Sequence, residues 1–130
     1  MDGVVWEIED EARRVLGCRR AFRARLVEVA DHKCDLDASE LIYGELVANA
    51  VRYAAGSVNV RLELSGGTPT LIVRDKGPGL HVVPWAPRRD PFAESGRGLA
   101  IVEMLAADVA VKHPPGGGTE VRAVLPPSRA

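Results

Sequence analysis

Cysteine is scarce, with two in 130 residues, and Cys18 and Cys34 share no metal-ligand spacing. They read as reduced thiols packed as small hydrophobes rather than as a disulfide framework or a metal site. Neither sign of charge is in excess, since 17 Lys and Arg face 18 Asp and Glu for a net charge of -1. That balance removes the electrostatic case for nucleic acid or a membrane surface as the main partner and leaves a small ligand or a protein. No run of about 18 consecutive apolar residues occurs, and the N-terminal stretch lacks the apolar segment of a signal peptide. The expectation is a cytoplasmic protein that does not span a membrane. No Gly-x-x-x-x-Gly-Lys-Ser/Thr segment is present, so phosphate binding by that loop is excluded, and no internal repeat is visible.

What is present is a hydrophobic content of 46%. This suits one domain over residues 1–130 that buries roughly two thirds of its unfolded surface. Residues 4–8 read as a short strand. From Asp10 to about Ala30, Val15, Phe22, Leu26 and Val29 recur at helical spacing. The other face of that helix carries Arg13, Arg14, Arg19, Arg20, Arg23 and Arg25, either a solvated face or a surface for an acidic partner. Asp37 followed by Glu40 has the layout of a capping box, which predicts a second helix over about 38–55 with Gly56 as its left-handed end. Val58, Val60, Leu62 and Leu64 alternate with Asn59, Arg61 and Glu63, the pattern of a half-buried strand, and Gly66-Gly67 turns the chain into a second strand over 70–74. A Gly/Pro-rich stretch through Ser95 precedes a helix over 98–107 and two strands over 109–112 and 120–125. This order predicts an α+β fold, a two-layer α/β sandwich in which helices cover one face of a mixed sheet.

On the second helix, Glu45, Asn49 and Arg52 fall at intervals of four and three, one polar stripe on a helix otherwise occupied by Leu41, Ile42, Leu46, Ala50, Val51 and Ala54. A buried Glu or Asn without a partner costs roughly 1–3 kcal/mol, so such a stripe suggests a wet, lined pocket. An ordinary amphipathic helix with one solvent edge is the alternative. Asp75-Lys76-Gly77-Pro78-Gly79 places a carboxylate where an apolar strand leaves the sheet. The carboxylate can accept from an exocyclic amine, and glycines let a flat base approach the backbone; the same residues also populate ordinary turns. Gly96-Arg97-Gly98-Leu99 leads into an apolar helix whose free first-turn amides suit phosphates, unless it is only a flexible linker. Gly116-Gly117-Gly118-Thr119 separates the last two strands. Thr119 offers a hydroxyl to a base edge or to Asp75, although a glycine hairpin turn explains the segment equally well.

Taken in order, Glu45-x-x-x-Asn49, Asp75-x-Gly77-x-Gly79, Gly96-x-Gly98-Leu99 and Gly118-Thr119 resemble the N, G1, G2 and G3 boxes of the GHKL (Bergerat-fold) ATPase superfamily of gyrase, heat-shock chaperones, histidine kinases and mismatch-repair ATPases. Within it, the segment from Glu45 to Ala54 is similar to the short anti-sigma-factor serine kinases. The resemblance covers about residues 4–125. It implies that ATP lies over the helix bearing Asn49, with the Asn49 side-chain oxygen on Mg²⁺ and Asp75 on the adenine amine. Gly77 and Gly79 would flank the base, Gly98 and Leu99 would offer phosphate-facing amides, and Thr119 would close the adenine end. Arg52, Gly96 and Arg97 belong to the same nucleotide-binding set, and Glu45 matches the general base. The relatives usually carry histidine where this chain has Tyr53, which leaves the base and the magnesium ligand in place.

The function so implied is a serine/threonine-protein kinase that phosphorylates a small anti-sigma antagonist and regulates a sigma factor by partner switching, with homodimerisation common among such proteins. Residues 80–95 would form a lid stiffened by Pro84, Pro87 and Pro91, with Arg88, Arg89 and Arg97 near phosphate or an acidic partner and Trp85 as a packing anchor. A nucleotide-dependent binding module without turnover is a second reading. A detached histidine kinase catalytic domain is a third; the stretch before the nucleotide helix holds no phosphoacceptor helix pair, and His32 is its sole histidine.

Overall fold

The computed structural model describes residues 2–30, 33–53, 56–76 and 94–128, apart from the side chains of Tyr53 and residues 94–99. Its elements are strand β1 (Gly3–Glu11), helices α1 (Ala12–Leu16), α2 (Arg19–Ala30) and α3 (Leu36–Tyr53), strands β2 (Ser57–Ser65) and β3 (Thr68–Asp75), helix α4 (Glu94–Leu105), and strands β4 (Asp108–Lys112) and β5 (Thr119–Val124). Five strands form one sheet in the order β1-β2-β3-β5-β4. The fold is the expected α+β sandwich.

The expected mixed sheet is corrected, because every pairing among the described strands is antiparallel. Chain routing gives the reason. Arg19 of α2 meets Glu40 of α3, and Arg23 one turn later meets Asp37 as well as Glu40, so the two helices run in opposite senses along their contact. The chain thus returns to the end of β1 that it left, and Glu11 pairs with Ser57. Strands β3 and β4 do run parallel across α4, but β5 lies between them, so no two neighbours are parallel.

The alternation read in β2 holds: Val58, Val60, Leu62 and Leu64 are buried on the helix side. Cross-strand partners Leu71 and Val73 of β3, and Val121 and Ala123 of β5, continue that apolar face. Gly66 and Gly67, at φ 59° and 85°, make the two-residue turn of the β2–β3 hairpin. On the open face Arg61 and Arg122 both reach Glu63, at 3.7 and 3.5 Å, and Asn59 donates to Glu7 and Glu9 at 2.9 and 3.2 Å. Hydrogen bonds from Asn59 and then Lys76 hold the Glu9 carboxyl below its ordinary range.

Two expected boundaries move. The first helix is broken at Gly17-Cys18, where Cys18 N bonds Val15 O at 3.0 Å in a tightened turn. The same Val15 carbonyl takes a second donor, the buried Tyr43 hydroxyl, at 2.6 Å. Tyr43 stacks on Phe22 at 4.7 Å between ring centroids, with Trp6 at 6.0 Å from Phe22 and 6.2 Å from Tyr43. The capping box at Asp37 is also corrected. Helix α3 starts at Leu36, and Asp35 is its cap, with Oδ1 accepting from Ala38 N at 3.0 Å. Asp37 and Glu40 instead both bind Arg23 at 2.8 Å, an interhelix clamp that the local pattern does not reveal. Cys18 and Cys34 are free thiols; Cys34 is buried against Ser39 Oγ at 3.0 Å, and burial pushes its pKa up.

Candidate nucleotide site

Helix α3 is the floor on which the polar stripe stands. It packs against α1, α2, α4 and β3. Ile42, Tyr43, Leu46, Val47 and Ala50 are buried and fix its rotation. With that rotation, Glu45 and Asn49 are half-buried and Arg52 is exposed. Leu41, one turn before Glu45 and 44% exposed, continues the stripe rather than the core, contrary to its expected place on the apolar side.

Asn49 stands out chemically. Its Oδ1 is buried and has no hydrogen-bond partner. Among the described residues Arg61 Nε shares that condition, but the Arg61 guanidinium also reaches Glu63 at 3.7 Å, so that side chain is otherwise paired. An amide carbonyl buried without a donor costs roughly 1–3 kcal/mol, and such a cost persists where a ligand removes it. A hard amide oxygen of this kind suits Mg²⁺, which takes few protein ligands when phosphates supply the others. The residues present therefore fit the ion. No group of three or more His, Cys, Asp or Glu side chains suited to a metal occurs among the described residues.

At the other end of the site, Asp75 is the last residue of β3 and pairs directly with Thr119, the first residue of β5. Thr119 is 7% exposed, one of few buried polar side chains. It continues the Val121 and Ala123 row, so it and Asp75 face the helix side of the sheet, the side on which α3 lies. The sequence left open whether Thr119 belonged with Asp75 or only with a turn; backbone pairing places the two side by side. Gly118, just before it, shares the G3-like pair with Thr119, and nothing in the sequence assigns the glycine a separate role. It is buried at φ 88°, and a Cβ there would collide with the Asp75 carbonyl oxygen.

The phosphate segment differs from expectation. Helix α4 begins at Glu94, ahead of the expected start at Gly98. In this arrangement the amides of Gly98 and Leu99 lie past the first turn, where helix hydrogen bonds take them, and the free amides belong to the residues up to about Gly96. Gly96, Arg97, Gly98 and Leu99 are thus helical residues rather than a loop leading into a helix. Gly77 and Gly79, the lid prolines, Trp85, Arg88, Arg89, His32 and Ala54 lie outside the described residues. Two cavities occur away from the stripe: one of about 350 Å³ beside the β2–β3 turn, lined by Lys33, Thr68, Pro69, Leu125 and Pro127 among others, and one of about 210 Å³ among Glu11, Ala12, Arg13, Val51 and Gly56. None of the expected site residues lines either.

Comparison with known proteins bears on the family and the fold. The chain is 37% identical over 83 residues to the sensor protein RstB of Escherichia coli K12, a match covering 55% of this chain and 19% of that protein's length. Its fold is similar to the solved structure of the Acinetobacter baumannii histidine kinase AdeS, at a TM-score of 0.53 and 20% identity, covering 94% of this chain and 68% of that one. Residues 8–125 match the family model of the histidine kinase-like ATPase domain. With a buried carbonyl unpaired on α3 and a carboxylate and a threonine paired across β3 and β5, the chain belongs to the histidine kinase-like ATPase domain family.

Proposed function

We propose that the domain binds ATP with Mg²⁺ over the second half of α3 and transfers the γ-phosphoryl group to a serine or threonine hydroxyl of a small anti-sigma antagonist, so that a sigma factor is released or held by partner switching in the cytoplasm. The observation that carries the nucleotide reading is the buried, unpartnered Oδ1 of Asn49. Asn49 would hold the magnesium ion, which when bound neutralises phosphate charge. Asp75 accepts from the adenine amine, and Thr119 closes that edge. Glu45, one turn before Asn49 on the same face and half-buried, takes the proton of the incoming hydroxyl. The hydroxyl oxygen then bonds to the γ-phosphorus, the bond from that phosphorus to the β,γ-bridging oxygen breaks, and ADP leaves. The N, G1, G2 and G3 segments support the nucleotide reading, and the Glu45 to Ala54 stretch, similar to the anti-sigma-factor serine kinases, supports the serine/threonine assignment.

The relationship to RstB and AdeS favours a second reading, in which the acceptor is a histidine of another chain or segment. One experiment separates the two. The protein is incubated with γ-labelled ATP and small candidate antagonist proteins, and the transferred label is challenged with acid. Acid-stable label on an antagonist, lost in Glu45→Ala while ATP still binds, supports the serine/threonine kinase. Acid-labile label on histidine supports the second reading, and binding without any transfer leaves a nucleotide-dependent docking module.

A further inference from the structure

We infer that Gly118 is a positioning residue for the base-reading carboxylate: by lacking a Cβ it lets the entry of β5 lie against the Asp75 carbonyl, and this contact sets where the Asp75 carboxylate points. The inference rests on the adenine role of Asp75 in the nucleotide reading above. Three neighbouring glycines of the β4–β5 connection have positive φ: Gly116 at 97°, Gly117 at 103° and Gly118 at 88°. They are alike in φ and unequal in surroundings. A Cβ on Gly116 or Gly117 meets nothing within 4 Å, whereas one on Gly118 would collide with the Asp75 carbonyl oxygen and also lie 3.2 Å from the Asp75 carbonyl carbon and 3.4 Å from Lys76 Cα. Every one of those atoms is backbone, so no flexible side chain can move aside. A side chain at 118 must displace the peptide joining Asp75 to Lys76, the unit at which β3 leaves the sheet.

Geometry transmits that displacement to recognition. A hydrogen bond from an amine to a carboxylate holds over about 2.7–3.2 Å and weakens steeply beyond it, so a shift of the Asp75 backbone by a few tenths of an ångström reaches the base. Thr119 cannot absorb the change, because it is buried and paired with Asp75 in the ladder. Gly118 itself need not touch the nucleotide for this to operate.

Because Gly117 carries the same backbone strain without the contact, Gly117→Ala is the internal control. ATP and ITP affinities are measured by calorimetry for the unaltered protein, Gly117→Ala, Gly118→Ala and Asp75→Ala; ITP carries a carbonyl where adenine carries its amine. Both glycine variants are expected to lower the melting temperature, as alanine at positive φ does. Gly118→Ala is expected to lose about tenfold or more in ATP affinity and most of the ATP-over-ITP preference, approaching Asp75→Ala, while Gly117→Ala keeps both within about threefold. Gly118→Asn, which tolerates positive φ better but has the same Cβ, replaces Gly118→Ala if that variant does not fold. Retained preference in a folded 118 variant overturns the inference. So does failure of both 118 variants to fold while Gly117→Ala folds, since the position would then serve the whole fold. If Asp75→Ala leaves ATP binding and preference unchanged, the adenine reading of Asp75 fails first, and the positioning role falls with it.

Discussion

The two halves of α3 differ in how completely their polar groups are matched. In the first half Asp35 caps the helix, Asp37 and Glu40 share Arg23 at 2.8 Å, and Tyr43 donates to Val15 at 2.6 Å. In the second half Asn49 keeps a buried carbonyl oxygen without a donor. The difference is a division of labour along one helix: the matched end ties α3 to its neighbours, and the second half carries the cost of a buried carbonyl without a donor.

The largest expected effect lies in the matched half. Phe22→Ala empties the ring that stacks on Tyr43 and is expected to cost about 3–5 kcal/mol, read as a lower denaturant midpoint. A much smaller loss would mean that the aromatic group does not anchor α3. Next, Asn49→Leu should invert the usual outcome of a buried substitution. It removes an unpaired carbonyl, so thermal stability should hold or rise, while magnesium-dependent ATP affinity falls by about 30- to 100-fold, roughly 2–3 kcal/mol. Calorimetry with and without a chelator checks it, and unchanged affinity would erase the distinction between the two halves.

Tyr43→Phe removes one of the two donors to the Val15 carbonyl, Cys18 N being the other, and should cost about 1–1.5 kcal/mol without changing nucleotide affinity. It carries a pH signature too. Burial pushes the Tyr43 hydroxyl well above its ordinary pKa. Above about pH 10 the unfolded chain releases this proton while the folded chain keeps it, so fewer protons are bound unfolded and stability falls with rising pH. The slope from this group approaches about 1.4 kcal/mol per pH unit, is absent below the unfolded pKa, and should disappear in Tyr43→Phe. The smallest effect is that of Asp35→Ala, about 1 kcal/mol for loss of a helix cap. Asp37→Ala should leave the cap intact, and the reverse ranking of these two would restore the capping box at Asp37.

Much of the fold was legible locally. The alternation in β2 is read from residues two apart, and the Gly66-Gly67 turn from two adjacent ones. The stripe of Glu45, Asn49 and Arg52 follows from helical spacing alone. Where the reading missed, a partner remote in the chain had intervened. Asp37 and Glu40 look like a cap until Arg23 comes to lie beside them, and a continuous first helix is sensible until Tyr43 comes to donate to the Val15 carbonyl at the break.

By itself the sequence determined which residues share a face and where the chain turns, because such periodicities depend only on backbone geometry within a few residues. Tertiary structure alone decided that β5 enters between β3 and β4, that Thr119 and Gly118 meet Asp75, and that the Asn49 carbonyl is buried without a partner. These are contacts between groups far apart along the chain. Their free energy exists only once the sheet and the helices have packed, so no local window of residues contains it.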